Sequence, residues 1–360
     1  MTEAGSLTSA PRLLVERAIA RAGGWIPFDR FMALALYAPG LGYYANDSRK
    51  FGTMPSSGSD FATAPEMTAL FGATVAVQVA EALRVTCTQD VWEFGAGSGA
   101  LAVQLLEALG DSVRSYTIVD LSGSLRERQQ NALARYGDRV RWVSELPDRF
   151  SGIVAGNEVL DAMPVKLLAR KAGAWHERGV GPGLAWVDRP TGLRPPIAIP
   201  GEHDYLTEIH PQAEAFIRTL ADRLERGAAF FIDYGFGENE YYHEQRHMGT
   251  LMCHRGHLAD TDPLADIGRK DITAHVNFTG LALAAQEAGL ATLGYTSQAR
   301  FLMNCGLVER LAAAPLAGRI AGQRLLAEHE MGELFKVIGL HKGVFWDARG
   351  FSQGDRTERL

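Results

Sequence analysis

From residue 90 onward, short apolar runs alternate with stretches whose apolar positions recur at helical spacing. Asp90–Phe94, Ser115–Val119, Arg139–Val143 and Ser151–Ala155 are too short for helices and mostly apolar, as buried parallel strands are. Leu101–Leu109 and Ser122–Tyr136 carry the 3.6-residue period and read as the helices between them. A helix at Pro211–Arg226, strands at Ala228–Ile232 and Ala291–Tyr295, a helix at Thr279–Ala288 and a last strand at Leu334–Leu340 continue the series. Strand and helix in alternation specify an α/β fold, a Rossmann-like doubly wound sheet.

The pattern departs from this alternation in three places. Before the sheet, Pro11–Ala22, Phe28–Tyr37 and Pro65–Leu83 read as helices, the last with proline in its first turn, around a Gly/Ser/Pro-rich loop at Gly52–Asp60. Lys166–Lys171, Trp175–Val180 and Leu184–Val187 read as β-hairpin strands between Gly/Pro turns. Residues 236–276 are polar and rich in histidine and glycine, the signature of a long loop over an active site. The expected organisation is an N-terminal helical region (1–85), a core (86–164, 206–235, 277–345), a β-hairpin insertion (165–205) and a cap (236–276).

Composition narrows the setting. The chain has 360 residues, 46% of them hydrophobic, and a net charge of −6, so a nucleic-acid partner with its demand for a basic face is not expected. The most apolar long window, Met67 to Leu83, is interrupted by Thr74, Gln78 and Glu81, so no membrane span is expected. Cys87, Cys253 and Cys305 are far apart, which fits a reducing cytoplasm. His254, His257 and His275 have loose spacing and few matching carboxylates, so no metal is expected.

The chemistry is concentrated where the first strand ends. Glu93-Phe94-Gly95-Ala96-Gly97-Ser98-Gly99 places three alternating glycines between a strand and a helix. Glycines there allow left-handed torsions and close approach of the backbone to a ligand. The spacing also satisfies the dinucleotide pattern, which keeps a nicotinamide-dependent oxidoreductase as an alternative. Glu93, two residues before the first glycine, favours S-adenosylmethionine, which carries an ammonium group and two ribose hydroxyls but no pyrophosphate. Gly95, Ala96, Gly97 and Gly99 form the expected cradle. Asp120, with Leu121 beside it at the end of the second strand, is placed to accept from the ribose hydroxyls, and Glu145 and Leu146 to border the adenine.

The fourth strand runs into Asn157-Glu158-Val159-Leu160-Asp161. Polar groups directly after a buried strand are costly unless they line a site or are fully bonded. Glu158 and Asp161, three apart, could clamp a guanidinium and localise a lone pair on the attacking nitrogen, with Asn157 bordering both acceptor and cofactor. The alternative is that Asp161 caps the following segment and Glu158 alone meets a ligand.

These stretches, together with Leu36-Tyr37, Gly42-Tyr43-Tyr44, Asp60-Phe61-Ala62-Thr63-Ala64-Pro65-Glu66 with Phe71-Gly72, Leu125-Arg126 with Gln129, Asp161-Ala162-Met163-Pro164, Ile232-Asp233-Tyr234-Gly235, Asp271-Ile272-Thr273 and Phe335-Lys336-Val337, resemble the MidA-like methyltransferases from about residue 28 to 340. These are bacterial relatives of a mitochondrial complex I assembly factor that acts as a protein arginine methyltransferase. The resemblance implies a class I methyltransferase fold, S-adenosylmethionine as cofactor and a protein acceptor, an arginine of a complex I subunit. It also implies that the block around Asp60, Thr63 and Glu66 folds over the cofactor or acceptor, and Asp60, Thr63, Glu66, Asp233, Asp271 and His275 are the expected substrate-binding residues. A small-molecule O- or N-methyltransferase and a non-catalytic, cofactor-binding assembly factor are the alternatives. Ala96 stands where many relatives have proline. Asn277 stands where the mitochondrial form has aspartate, which would remove a carboxylate near the acceptor cleft.

Overall fold

The structure, a computed structural model, describes residues 3–46, 63–120 and 123–360. Its centre is a sheet of seven principal strands: β1 Asp90–Phe94, β2 Ser115–Val119, β3 Val140–Val143, β4 Phe150–Asn157, β5 Leu224–Phe236, β6 Ala291–Ser297 and β7 Phe335–Lys342. Their order is β3-β2-β1-β4-β5-β7-β6, with β7 antiparallel to both its neighbours. A short segment, Val276–Asn277, extends the sheet beside the end of β5, where Gly235 is required: a Cβ there would lie 2.1 Å from the Val276 carbonyl oxygen.

Alternation along the strands sorts side chains between two cores. Val91, Tyr116, Ile118, Ile153, Ala155 and Ile232 face the helices Ala69–Thr86 and Ala100–Leu109. Trp92, Phe94, Val154, Phe231 and Ile338 face the helices Pro211–Arg223 and Phe278–Glu287. Both faces are covered, which is why these strands read as continuous apolar runs. The helix Ala69–Thr86 is long and apolar enough to cross a membrane by length and composition, and 56% of that stretch is buried inside the fold.

Several elements differ from the sequence expectation. The predicted helix Pro65–Leu83 is two helices, Ala64–Met67 and Ala69–Thr86, broken at Thr68. Thr68 is extended, and its hydroxyl accepts from the Leu70 N–H at 3.3 Å as an N-cap. The predicted helix Pro211–Arg226 ends at Arg223, and β5 begins at Leu224, its register with β4 shifting between Leu224 and Arg226. Tyr205–Ile209, apportioned by the sequence largely to the core, pairs instead with Lys166–Lys171. It completes a five-stranded antiparallel sheet with Ala174–Gly181, Ala185–Pro190 and the N-terminal Ile26–Pro27. The polar stretch 236–276 is not irregular throughout: Leu258–Asp260, Met252–Arg255 and Asp271–Thr273 form a small antiparallel sheet. Phe28, Phe31 and Tyr43 share one hydrophobic cluster with Leu167, Val180, Ile272 and Ala274, so the N-terminal segment and both accessory sheets pack together.

Candidate active site

The chain winds outward through β1, β2 and β3 and then returns to β4, so the strand order reverses between β1 and β4. Ligands of open α/β sheets bind outside the carboxyl ends of the strands at that reversal. Register aligns those ends: Phe94 is opposite Val119 and Gly156, and Val119 is opposite Val143. The next residues along these strands, Gly95, Asp120 and Asn157, therefore come to one rim.

On the β1 side, Gly95, Gly97 and Gly99 all have positive φ, at 61°, 54° and 87°. A side chain at Gly95 would also crowd Val159, whose Cγ2 lies 3.0 Å from an added Cβ. The Ala96 methyl points into the apolar core, so this residue contributes backbone to the turn. Glu93 is 2% exposed, and its Oε2 accepts from the Tyr116 hydroxyl at 2.6 Å. Burial pushes its carboxyl up to about 8, against the lowering effect of Tyr116. Tyr116 lies two residues before the residue opposite Glu93 in β2, on the same face; the sequence reading did not single it out.

Asp120 continues the ladder, its N–H donating to Val143 at 3.1 Å, and its Oδ2 accepts from Gln129 Nε2 at 2.8 Å. Gln129 stands in one of the stretches that carry the family resemblance, Leu125-Arg126 with Gln129, but had no expected site role. The available signal was its position, a polar residue in the buried stripe Leu125-Gln129-Leu133. Glu145 is exposed just beyond β3, and half-buried Leu146 packs beside the core with its carbonyl held by Arg223. Asp60 and Leu121 lie outside the described residues.

Glu66 reaches the glycine turn, and Thr63 stands at the start of the same short helix. Glu66 takes a hydrogen bond from the Ser98 hydroxyl, tying the helix Ala64–Met67 to the turn. Thr63 is buried, and its carbonyl accepts from the Glu66 N–H at 3.0 Å. The Ala64 N–H supplies a hydrogen bond to Glu158. One short helix thus touches both the glycine turn and the acidic segment after β4.

That segment is a tight turn with Glu158 at φ 55°. Asp233 holds it: its Oδ2 accepts from the N–H groups of Val159, Leu160 and Asp161 at 3.1, 2.8 and 3.3 Å, and its Oδ1 from Tyr234 at 3.0 Å. This corrects the expectation for Asp233. It is 1% exposed with both oxygens on the backbone, so it positions the turn rather than reaching a substrate. Asn157 Nδ2 donates to Glu158 at 3.0 Å. Burial, then the charges of Asp161 and Asp271, push Glu158 up to about 8, and burial pushes Asp161 up to about 6. Burial and the charge of Asp161 also raise Asp233, against the bonds to its backbone partners.

Tyrosines surround this acidic pocket. Tyr44 donates to Asp271 Oδ2 at 2.8 Å, Tyr37 donates to the Ala162 carbonyl at 2.8 Å, and the two rings stack at 5.6 Å. The Tyr234 hydroxyl bonds Asp161. The largest charge effects on Glu158 and Asp233 come from neighbouring carboxylates, not from a lysine or arginine. Among the described residues, Asn157 Oδ1 and Asp161 Oδ1 are buried without a hydrogen-bond partner.

His275 stacks on Phe236 at 5.2 Å and meets Tyr234 edge-on at 5.1 Å, forming an aromatic wall; burial lowers it to about 4. Asn277, expected beside the acceptor cleft, is the N-cap of the helix Phe278–Glu287 and accepts from the Gly280 N–H at 3.2 Å.

A seven-stranded sheet with an antiparallel seventh strand, a glycine turn after β1 and a carboxylate after β2 define a class I methyltransferase. The residues present fit S-adenosylmethionine: the turn has the torsions of a close-approach cradle, and carboxylates lie at the ends of β1 and β2. Residues 74–296 match the sequence profile described as S-adenosyl-L-methionine-dependent methyltransferase, and the chain belongs to that family. A Burkholderia thailandensis protein solved with S-adenosyl-homocysteine bound is 48% identical, covers 99% of this chain and 97% of its own, and superposes with a TM-score of 0.94. Two more distant relatives are the mitochondrial protein arginine methyltransferase NDUFAF7 of Danio rerio and its Caenorhabditis elegans homologue. They are 28% and 27% identical, each over 81% of this chain and 75% of its own length. The chain is an S-adenosylmethionine-dependent methyltransferase.

Proposed function

We propose that the acceptor is an arginine side chain of a protein, and that a respiratory complex I subunit is the first protein to test. The observation that carries this reading is the acidic pocket after β4. Among the described residues, Glu158 and Asp161 have no salt bridge to a lysine or arginine, and Asp161 keeps a buried oxygen unbonded. Such carboxylates are costly unless something cationic completes them. A guanidinium arrives charged at neutral pH and presents a planar fork of donors that matches two carboxylates.

When bound, the cofactor supplies an electrophilic methyl group on a sulfonium. Gly95, Gly97 and Gly99 would cradle it, with Glu93 toward its ammonium end and Asp120 toward its ribose. Glu158 and Asp161 orient the guanidinium and hold charge on the nitrogens that do not react. One of them takes the proton that the methylated nitrogen gives up. Asp233 keeps Glu158 and Asp161 on one side of the turn, and the Tyr37–Tyr44 stack walls the pocket from water.

The test is incubation with methyl-labelled cofactor and extract from cells lacking this chain, followed by acid hydrolysis of the protein fraction. Labelled methylarginine is expected. Label confined to small molecules, or to lysine or ester-linked methyl groups, would overturn the proposal.

A further inference from the structure

Gln129 lies on the helix Gly123–Leu133 with no exposed surface, between buried Leu125 and Leu133. Packing alone would be satisfied by a third leucine there. Instead its amide meets three separate parts of the rim. Nε2 donates to the Gly97 carbonyl at 3.0 Å and to Asp120 Oδ2 at 2.8 Å, while Oε1 accepts from Trp142 Nε1 at 2.9 Å. Gly97 belongs to the turn after β1, Asp120 follows β2, and Trp142 is on β3. The indole can only donate, and the carbonyl and carboxylate oxygens can only accept, so this network permits a single orientation of the amide.

The glycine turn packs on the same helix, since a Cβ at Gly99 would lie 3.5 Å from Gln129 Cα. The turn has no side chains at its glycines to fix it, and Asp120 is half-exposed at a strand end. A neutral amide can hold that carboxylate in one rotamer without cancelling its charge, which a lysine or arginine would do. A pre-set rotamer also removes ordering cost from ligand binding. We infer that Gln129 is a positioning residue that sets the Asp120 carboxylate against the glycine turn and thereby determines how strongly the site demands an intact cofactor ribose. The inference rests on the reading of Asp120 as the ribose acceptor.

The test measures binding of S-adenosyl-homocysteine and its 2′-deoxy and 3′-deoxy analogues by calorimetry to the wild type, Gln129→Leu, Trp142→Phe and Asp120→Asn. Hydrogen bonds to a charged group set the scale at about tenfold or more. The wild type should bind the deoxy analogues about tenfold or more weakly than the parent. Gln129→Leu should bind the parent about tenfold more weakly and reduce the deoxy penalty below about threefold. Trp142→Phe should move both values the same way by less. Unchanged parent affinity in Gln129→Leu, or weaker affinity with the deoxy penalty intact, overturns the inference and leaves Gln129 a packing residue. If Gln129→Leu gives no thermal unfolding transition, Trp142→Phe decides, and an intact penalty there overturns it too. Wild-type affinity and an intact deoxy penalty in Asp120→Asn would instead remove the ribose reading of Asp120.

Discussion

Acceptor binding should release a proton, and Glu158 should be its source. With burial and the charges of Asp161 and Asp271 pushing Glu158 up to about 8, the free enzyme at pH 7 carries this carboxyl about nine-tenths protonated. A guanidinium favours the carboxylate, so binding lowers the group's affinity for its proton and expels it. The sign follows: apparent affinity rises with pH up to about 8 and levels off above it. Below that point it falls about tenfold per unit, and more steeply near 6, where Asp161 also takes up a proton. Ionising Glu158 at pH 7 costs about 1.4 kcal/mol, one pH unit's worth. Glu158→Gln keeps the shape but loses a charge-assisted bond of about 2–3 kcal/mol, roughly 30- to 150-fold in affinity above pH 8 and about tenfold less than that at pH 7, where the wild type pays for ionisation. The assay is titration calorimetry with N-acetyl-arginine methylamide, S-adenosyl-homocysteine present, in phosphate and in Tris. The difference in heat between buffers should correspond to about 0.9 proton released at pH 7 by the wild type, and to far less in Glu158→Gln. Heats independent of buffer, or equal release from both proteins, would refute the account of the pocket.

Glu93→Gln should stabilise the unliganded protein while weakening cofactor binding. The folded carboxyl, at about 8, lies above its unfolded value, so its favourable contribution is complete below pH 4.5 and is lost as pH rises toward 8. The advantage of the amide, which can still accept from Tyr116, should therefore grow through that window to about 3 kcal/mol at pH 7 as an upper bound, read from denaturant midpoints at several pH values. Asp233→Asn replaces an oxygen that accepts three backbone N–H groups with one end of an amide. It should cost about 1–3 kcal/mol in urea unfolding and abolish methyl transfer from a protein that remains folded. Asn277→Asp should leave turnover within about threefold, because aspartate caps a helix as well as asparagine, whereas Asn277→Ala should cost about 1 kcal/mol of stability.

Much of the core sheet was legible because its strands are buried on both faces, and its glycine turn because positive φ at three alternating positions leaves few residue choices. The misread elements each had a local reason. Thr68 fits a helical pattern by spacing, yet its hydroxyl is a competent cap, and the cap prevails between Met67 and Ala69. Leu258–Asp260 and Asp271–Thr273 are three residues each, too short to display an alternation, and the first is exposed throughout. The helices Gln298–Asn304, Leu307–Ala313 and Leu316–Arg324, between β6 and β7, are similarly brief, at 7, 7 and 9 residues.

The site divides differently. A carboxylate's place in the chain says that it stands at a strand end but not which way its oxygens turn. Asp120 and Asp233 both stand after a strand's apolar run, and nothing in their neighbours tells them apart. In the fold, one takes the amide of Gln129 at the rim, while the other turns inward to three backbone N–H groups. The difference comes from Glu158: its left-handed torsion folds the chain after β4 back toward β5 and aims those N–H groups at Asp233. A residue with a side chain at positive φ is strained, and here the strain is held in place by three backbone bonds from the turn to one buried carboxylate. The acidic pocket is thus fixed by a carboxylate that does not face it, which is why Asp233 and Glu158 cannot be assigned separately and why loss of either should disable the acceptor side while sparing the glycine turn.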